Sequence, residues 1–96
     1  YNVWVHNKLV KGTWASVTAV TATTNCSVGG NDINTDLSVA HKGISLKIPD
    51  DTTMYCLAFD VIGGPQETKW RGPYDNTEDI CWHLHGNFFS WELNPC

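Results

Sequence analysis

In the stretch TTMYCLAFDV, residues 52–61, Tyr55, Leu57, Phe59 and Val61 fall on one side of an extended chain and Met54, Cys56 and Ala58 on the other. A helix, turning every 3.6 residues, would mix these two sets; a strand, with its period of two, keeps them apart. Both sides carry apolar groups, which is the pattern of a strand covered on both faces, near the middle of a sheet. Shorter alternations recur in ISLKI (Ile44, Leu46, Ile48), NVWVH and DLSVAH, while WASVTAVTATT is rich in the β-branched residues that pack well on a pleated surface.

Between these runs stand Gly12, Gly29-Gly30-Asn31-Asp32, Gly43, Pro49-Asp50-Asp51, Gly63-Gly64-Pro65 and Gly72-Pro73. Each offers turn chemistry that a strand interior rejects. No eleven-residue window carries a convincing i, i+3, i+4, i+7 apolar pattern. The expected fold is therefore all-β: a small antiparallel β-sandwich of seven to eight strands, forming a single domain over residues 1–96.

A domain this short buries only about two-thirds of its unfolded surface, so its core is marginal without a staple. Cys26, Cys56, Cys81 and Cys96 can supply two disulfides, and they stand much too far apart for Cys-x-x-Cys zinc knuckles or redox pairs. Two bridges imply an oxidising compartment, hence a secreted protein. The opening YNVWV has no basic or apolar leader, which on that reading makes it a mature form. Three pairings are possible. Cys56–Cys81 with Cys26–Cys96 is favoured, because the first would join the central strand to the last hairpin and the second would tie down the chain end. Asn25-Cys26-Ser27 matches the glycosylation sequon, weakened by a bridged cysteine at its centre.

The net charge of −4, with six scattered basic residues, argues against nucleic acid as a partner. No apolar run approaches the roughly 20 residues of a membrane helix, so membrane insertion is not expected. The expected molecule is a monomer with no cofactor.

The segment ICWHLHGNFFSWEL raises a choice between chemistry and architecture. Gly86-Asn87 suits a two-residue hairpin loop. On its first arm Ile80, Trp82 and Leu84 share one face and Cys81, His83 and His85 the other; on its second, Phe89, Trp91 and Leu93 form the apolar set. Most of these rings are therefore core. His83 and His85 lie about 6–7 Å apart on one side of a strand and form a minority metal site, with His6, His41 or a carboxylate as third ligand. The acidic run DNTED, Asp75 to Asp79, lacks an EF-loop pattern and reads as a solvated loop.

The stretch GGPQETKWRGPYDNTED reads as a long loop carrying Trp70, Arg71 and Tyr74. These residue types dominate interface hot spots, and loops of a sandwich commonly carry its function. The three are the expected partner-binding residues. No catalytic residue is expected. The alternative is a small guanyl-type ribonuclease, or an inactive fungal effector built on one, with Glu67, Arg71, His85 and Phe89 supplying base, arginine, acid and ring.

Several spaced features together resemble the plant self-incompatibility S-protein family of small secreted modules. They are VWVHNKL, CSVGGNDI, GISLKI, TTMYCLAFDV and DICWHLHGNFFSWEL, in that order over nearly the whole chain. That family usually has two cysteines close together ahead of the tryptophan, whereas here Cys81 directly precedes Trp82 and the fourth cysteine is Cys96. The resemblance implies a ligand perceived by a cell-surface receptor or another extracellular protein. A plant-associated secreted effector is the nearest substitute.

Overall fold

The computed structural model describes residues 1–22, residue 26 and residues 31–96. Among the described residues eight strands follow one another: β1 (Asn2–Leu9), β2 (Trp14–Thr21), β3 (Asp32–Val39), β4 (Gly43–Lys47), β5 (Met54–Val61), β6 (Lys69–Asp75), β7 (Ile80–Gly86) and β8 (Trp91–Pro95). They form two four-stranded sheets, ordered β4-β1-β7-β8 and β3-β2-β5-β6. The sequon residues Asn25 and Ser27 and the turn glycines Gly29 and Gly30 lie outside the described residues.

The alternation sorts side chains as expected. In β1, Val3, Val5, Asn7 and Leu9 are buried while Trp4, His6 and Lys8 face solvent. Strand β5 lies between β2 and β6, and Tyr55, Leu57 and Phe59 are fully buried in a core shared with Val3, Val5, Ile44, Leu46, Leu84 and Trp91 of the facing sheet. Burying these side chains drives the two layers together, at about 1.5–3 kcal/mol for each large apolar group. Asn7 is a buried polar exception, and its amide is satisfied. It donates to the Ser38 carbonyl at 3.1 Å and accepts from the Leu9 N–H at 3.2 Å, tying β1 to β3.

The sandwich is not wholly antiparallel. Strands β1 and β7 run parallel, with Val5 opposite Trp82 and His6 opposite His83. Parallel neighbours need a long crossover, and here β2 to β6 provide it, including the whole second sheet.

The disulfides are Cys26–Cys56 and Cys81–Cys96, with Cα separations of 5.6 and 5.4 Å. The expected Cys56–Cys81 pairing is geometrically impossible. Cys56 alternates with the inward Tyr55 and Leu57, and Cys81 with the inward Ile80 and Trp82, so the two thiols lie on opposite outer faces. Sheets stack about 10 Å apart, whereas a bridge needs Cα atoms within about 7 Å. Each disulfide instead stays on the outside of its own sheet.

The last hairpin also differs from expectation. Gly86 pairs with Trp91 and Leu84 with Leu93, so the connection is Asn87-Phe88-Phe89-Ser90 rather than Gly86-Asn87. The Asn87 side-chain oxygen accepts from the Phe89 and Ser90 N–H groups, both at 2.9 Å, and its own N–H donates to the Ser90 carbonyl at 2.8 Å. Phe89 is consequently not core; it is 73% exposed. Both registers keep Trp91 and Leu93 on the inward side, so alternation could not choose between them. Gly86 adopts φ +116°, and a Cβ there would collide with the Ser90 carbonyl oxygen and the Trp91 Cα.

Candidate functional site

The segment expected to be a loop around Trp70, Arg71 and Tyr74 is in large part the edge strand β6. Lys69 and Arg71 stand opposite the inward residues Phe59 and Leu57, while Trp70 stands opposite Ala58. The three expected contact residues therefore do not share a side. Arg71 lies over the Trp82 ring at 5.5 Å, and its guanidinium donates to the Trp70 carbonyl at 2.8 Å. Tyr74 packs on Tyr55 with ring centroids 5.8 Å apart, and burial pushes its phenol pKa up. Only Trp70 is turned outward, 43% exposed.

Lys69 completes the closure of this side. Its ammonium donates to the Trp91 carbonyl at 2.7 Å and sits 4.8 Å from the Trp91 ring centroid. Gln66 adds a matched pair: its Nε2 donates to the Trp91 carbonyl and its Oε1 accepts from the Trp91 N–H, each at 3.0 Å. Two cations over two tryptophans thus seal the seam between β6 and the β7–β8 hairpin, each stacked pair contributing about 0.5–2 kcal/mol.

The outer face of the second sheet, where Trp70 stands, also carries exposed Trp14 and Leu37, with Ile62 beside Trp14 through an Ile62 N–H to Trp14 carbonyl bond. Ser16, Thr18, Asp60 and Thr68 lie between these apolar groups and Trp70.

The outer face of the first sheet gathers the histidines. Trp4, His6 and Lys8 of β1 stand opposite Cys81, His83 and His85 of β7. The rings of His6 and His83 are 5.0 Å apart and nearly perpendicular, and those of His83 and His85 are 5.6 Å apart. Burial and the neighbouring Lys8, His6 and His85 hold the His83 pKa below its usual value. The ligand atoms of His6, Cys81, His83 and Cys96 all lie within 4.8 Å of one another. His83 and His85 do share a side, as their spacing suggested, and His6 is their neighbour. His41 sits in the β3–β4 turn at φ 71°, its N–H bonded to the Asn7 carbonyl, beside a small concavity lined by His6, Lys8 and Lys42.

The four groups named for ribonuclease chemistry do not all share one face. His85 shares the outer face of the first sheet with His83, whereas Arg71 packs on Trp82 from the inner side. Glu67 precedes β6 and Phe89 projects from the β7–β8 loop. The acidic run fastens neighbouring segments of the fold. Its Asp79 carboxylate accepts from the Asn2 N–H at 2.7 Å, and its Asn76 amide donates to the Pro49 and Thr52 carbonyls.

No family model matches this chain, and no curated protein matches it. Among solved structures, the crystal structure of listeriolysin O is similar, with a TM-score of 0.51 at 14% identity over 99% of this chain. The match takes in 22% of that protein, so this chain spans about a fifth of its length. A likeness at this level of identity concerns the fold, and it supports the two-sheet architecture.

Proposed function

We propose that this protein is a secreted recognition module that acts as a ligand for a cell-surface receptor or another extracellular protein, as the S-protein resemblance implies. The observation that carries the reading is Trp70. Its strand neighbours Lys69 and Arg71 turn inward to close the core, yet the indole itself is left 43% exposed on a hydrogen-bonded strand. A chain with so little core leaves one of its largest apolar side chains facing water, on a support rigid enough to bind without a large ordering penalty. Tryptophan is among the residue types enriched at binding hot spots. Two disulfides on the outer faces of a small sandwich are compatible with life outside the cell. Arg71 and Tyr74 then act through the scaffold that holds Trp70, rather than as contacts of the same patch.

The test is saturable binding of labelled protein to plant cell-surface preparations, competed by unlabelled protein. Trp70→Ala, with an unchanged melting curve, is expected to weaken binding by about tenfold or more, as hot-spot truncation does. Binding that is non-saturable, or equal for Trp70→Ala and the natural chain, would refute the proposal.

A further inference from the structure

The Cys81–Cys96 disulfide lies against two imidazoles, and a bridge that only closes a hairpin has no need of them. His6 and His83 are cross-strand partners on the parallel β1–β7 pair, and Cys81 is two residues before His83, on the same outward side. Cys96 is carried to the group by β8, where its N–H donates to the Cys81 carbonyl at 3.3 Å. The result is two nitrogen and two sulfur donors with all four ligand atoms within 4.8 Å of one another. Zinc, at about 2.0–2.1 Å from nitrogen and 2.3 Å from sulfur, asks a tetrahedral ligand set for mutual separations of roughly 3.3–3.8 Å. To reach that range the two sulfurs must part once the bridge is opened and the imidazoles must turn towards them, on a base formed by β1, β7 and the end of β8.

We propose that His6, Cys81, His83 and Cys96 form a Cys2His2 site for zinc, for which the disulfide is the closed state and reduction the opening step. Two equivalents of an external thiol reduce the bridge. Two electrons and two protons pass to the sulfurs of Cys81 and Cys96, and the external thiols leave joined as one disulfide. Zinc then replaces the two thiol protons, which pass to solvent, and both imidazoles bind through unprotonated nitrogens. Oxidised, the sulfurs are bonded to each other and are not thiolate ligands. Cys96 and His6 are exposed and Cys81 and His83 are half-buried, whereas Cys56 of the other bridge is fully buried. A soluble reductant therefore reaches Cys81–Cys96 first. The site does not involve Trp70, so it stands or falls separately from the binding role.

The probe is cobalt(II), added to the full chain before and after brief treatment with a phosphine reductant, with alkylation mapping to identify the opened bridge. The reduced chain is expected to take one cobalt ion, to show thiolate charge-transfer and tetrahedral ligand-field absorption, and to release the ion to zinc. His6→Ala and His83→Ala should each weaken binding by more than the about tenfold that loss of a ligand's outer support causes, while His85→Ala should leave it unchanged. A Cys26→Ala/Cys56→Ala chain, retaining only the relevant thiols, should be less stable for want of one staple yet give the same cobalt spectrum. Absence of the thiolate band, binding indifferent to His6→Ala and His83→Ala, opening of Cys26–Cys56 first, or collapse of the β-sheet signal in the reduced, metal-loaded chain would each overturn the proposal.

Discussion

Tyr55 offers a quantitative test of how the core is closed. Its ring is fully buried on β5, and among the described residues its hydroxyl has no hydrogen-bond partner. Burial first, then the charge of the Tyr74 phenolate and of the Asp79 and Glu78 carboxylates, push its pKa from 10.0 to about 12. The folded protein therefore holds this proton more tightly than the unfolded chain does. The associated stability is intact below about pH 10 and is lost as pH rises towards about 12. A shift of about two units, at 1.36 kcal/mol each, amounts to about 2.7 kcal/mol. Tyr55→Phe removes both the titrating group and a hydroxyl that was desolvated without a partner. The variant should match or exceed the natural chain at neutral pH, by up to about 1–3 kcal/mol, the cost of an unsatisfied buried group. It should also lose less stability in alkali, with a remainder due to Tyr74, whose pKa burial likewise raises. Urea unfolding followed by circular dichroism between neutral pH and about pH 12, alongside tyrosinate absorbance, measures both effects. A Tyr55→Phe chain that is clearly weaker at neutral pH, or that declines in parallel with the natural one above pH 10, would refute the reasoning.

Trp91 is only 1% exposed, so Trp91→Ala should cost about 3–5 kcal/mol in chemical denaturation, and Trp82→Ala less, because its indole is half-buried. Gly86→Ala places a Cβ against the Ser90 carbonyl at a positive φ and should destabilise by more than about 1 kcal/mol; Asn87→Ala, which removes two acceptor contacts in the same loop, should cost about 1 kcal/mol, both read as shifts in thermal midpoint. Non-reducing peptide mapping should recover Cys26 with Cys56 and Cys81 with Cys96, and any other pairing would contradict the sheet faces described above.

Local periodicity made the faces of β1, β4, β5 and β7 legible, because which side a residue takes depends only on its neighbours in the chain. Tyr55, Leu57 and Phe59 entered the core for that reason, as did Leu84, Trp91 and Leu93. What stayed hidden depends on distant partners. Strand β6 is interrupted by Gly72 and a cis Gly72–Pro73 peptide and has no clean alternation, so it read as a loop until β5 was there to pair with it. The parallel β1–β7 pairing joins chain segments that no local pattern connects, and with it came the juxtaposition of His6 and His83. The candidate site was thus half visible: Cys81, His83 and His85 could be placed on one side from their spacing, and His6 stood among several possible third ligands, but nothing local singled it out or brought Cys96 to them. Two bridges were legible, but their favoured pairing failed for a related reason. The outward direction of Cys56 and Cys81 was readable, but which sheet each belonged to was not.

The Gln66 amide bonded to both backbone groups of Trp91 has a bearing on self-association. Strand β8 forms the margin of the first sheet, and its unpaired backbone groups are a template on which another chain could add a strand. By the two-residue repeat, the N–H positions facing that margin are those of residues 91, 93 and 95. Gln66 occupies the first, Pro95 has no N–H to offer at the third, and an incoming strand finds one donor, at Leu93, in place of three, beside the Leu93 and Pro95 carbonyls. A side chain borrowed from the opposite layer thus helps guard the molecule against fibrous stacking.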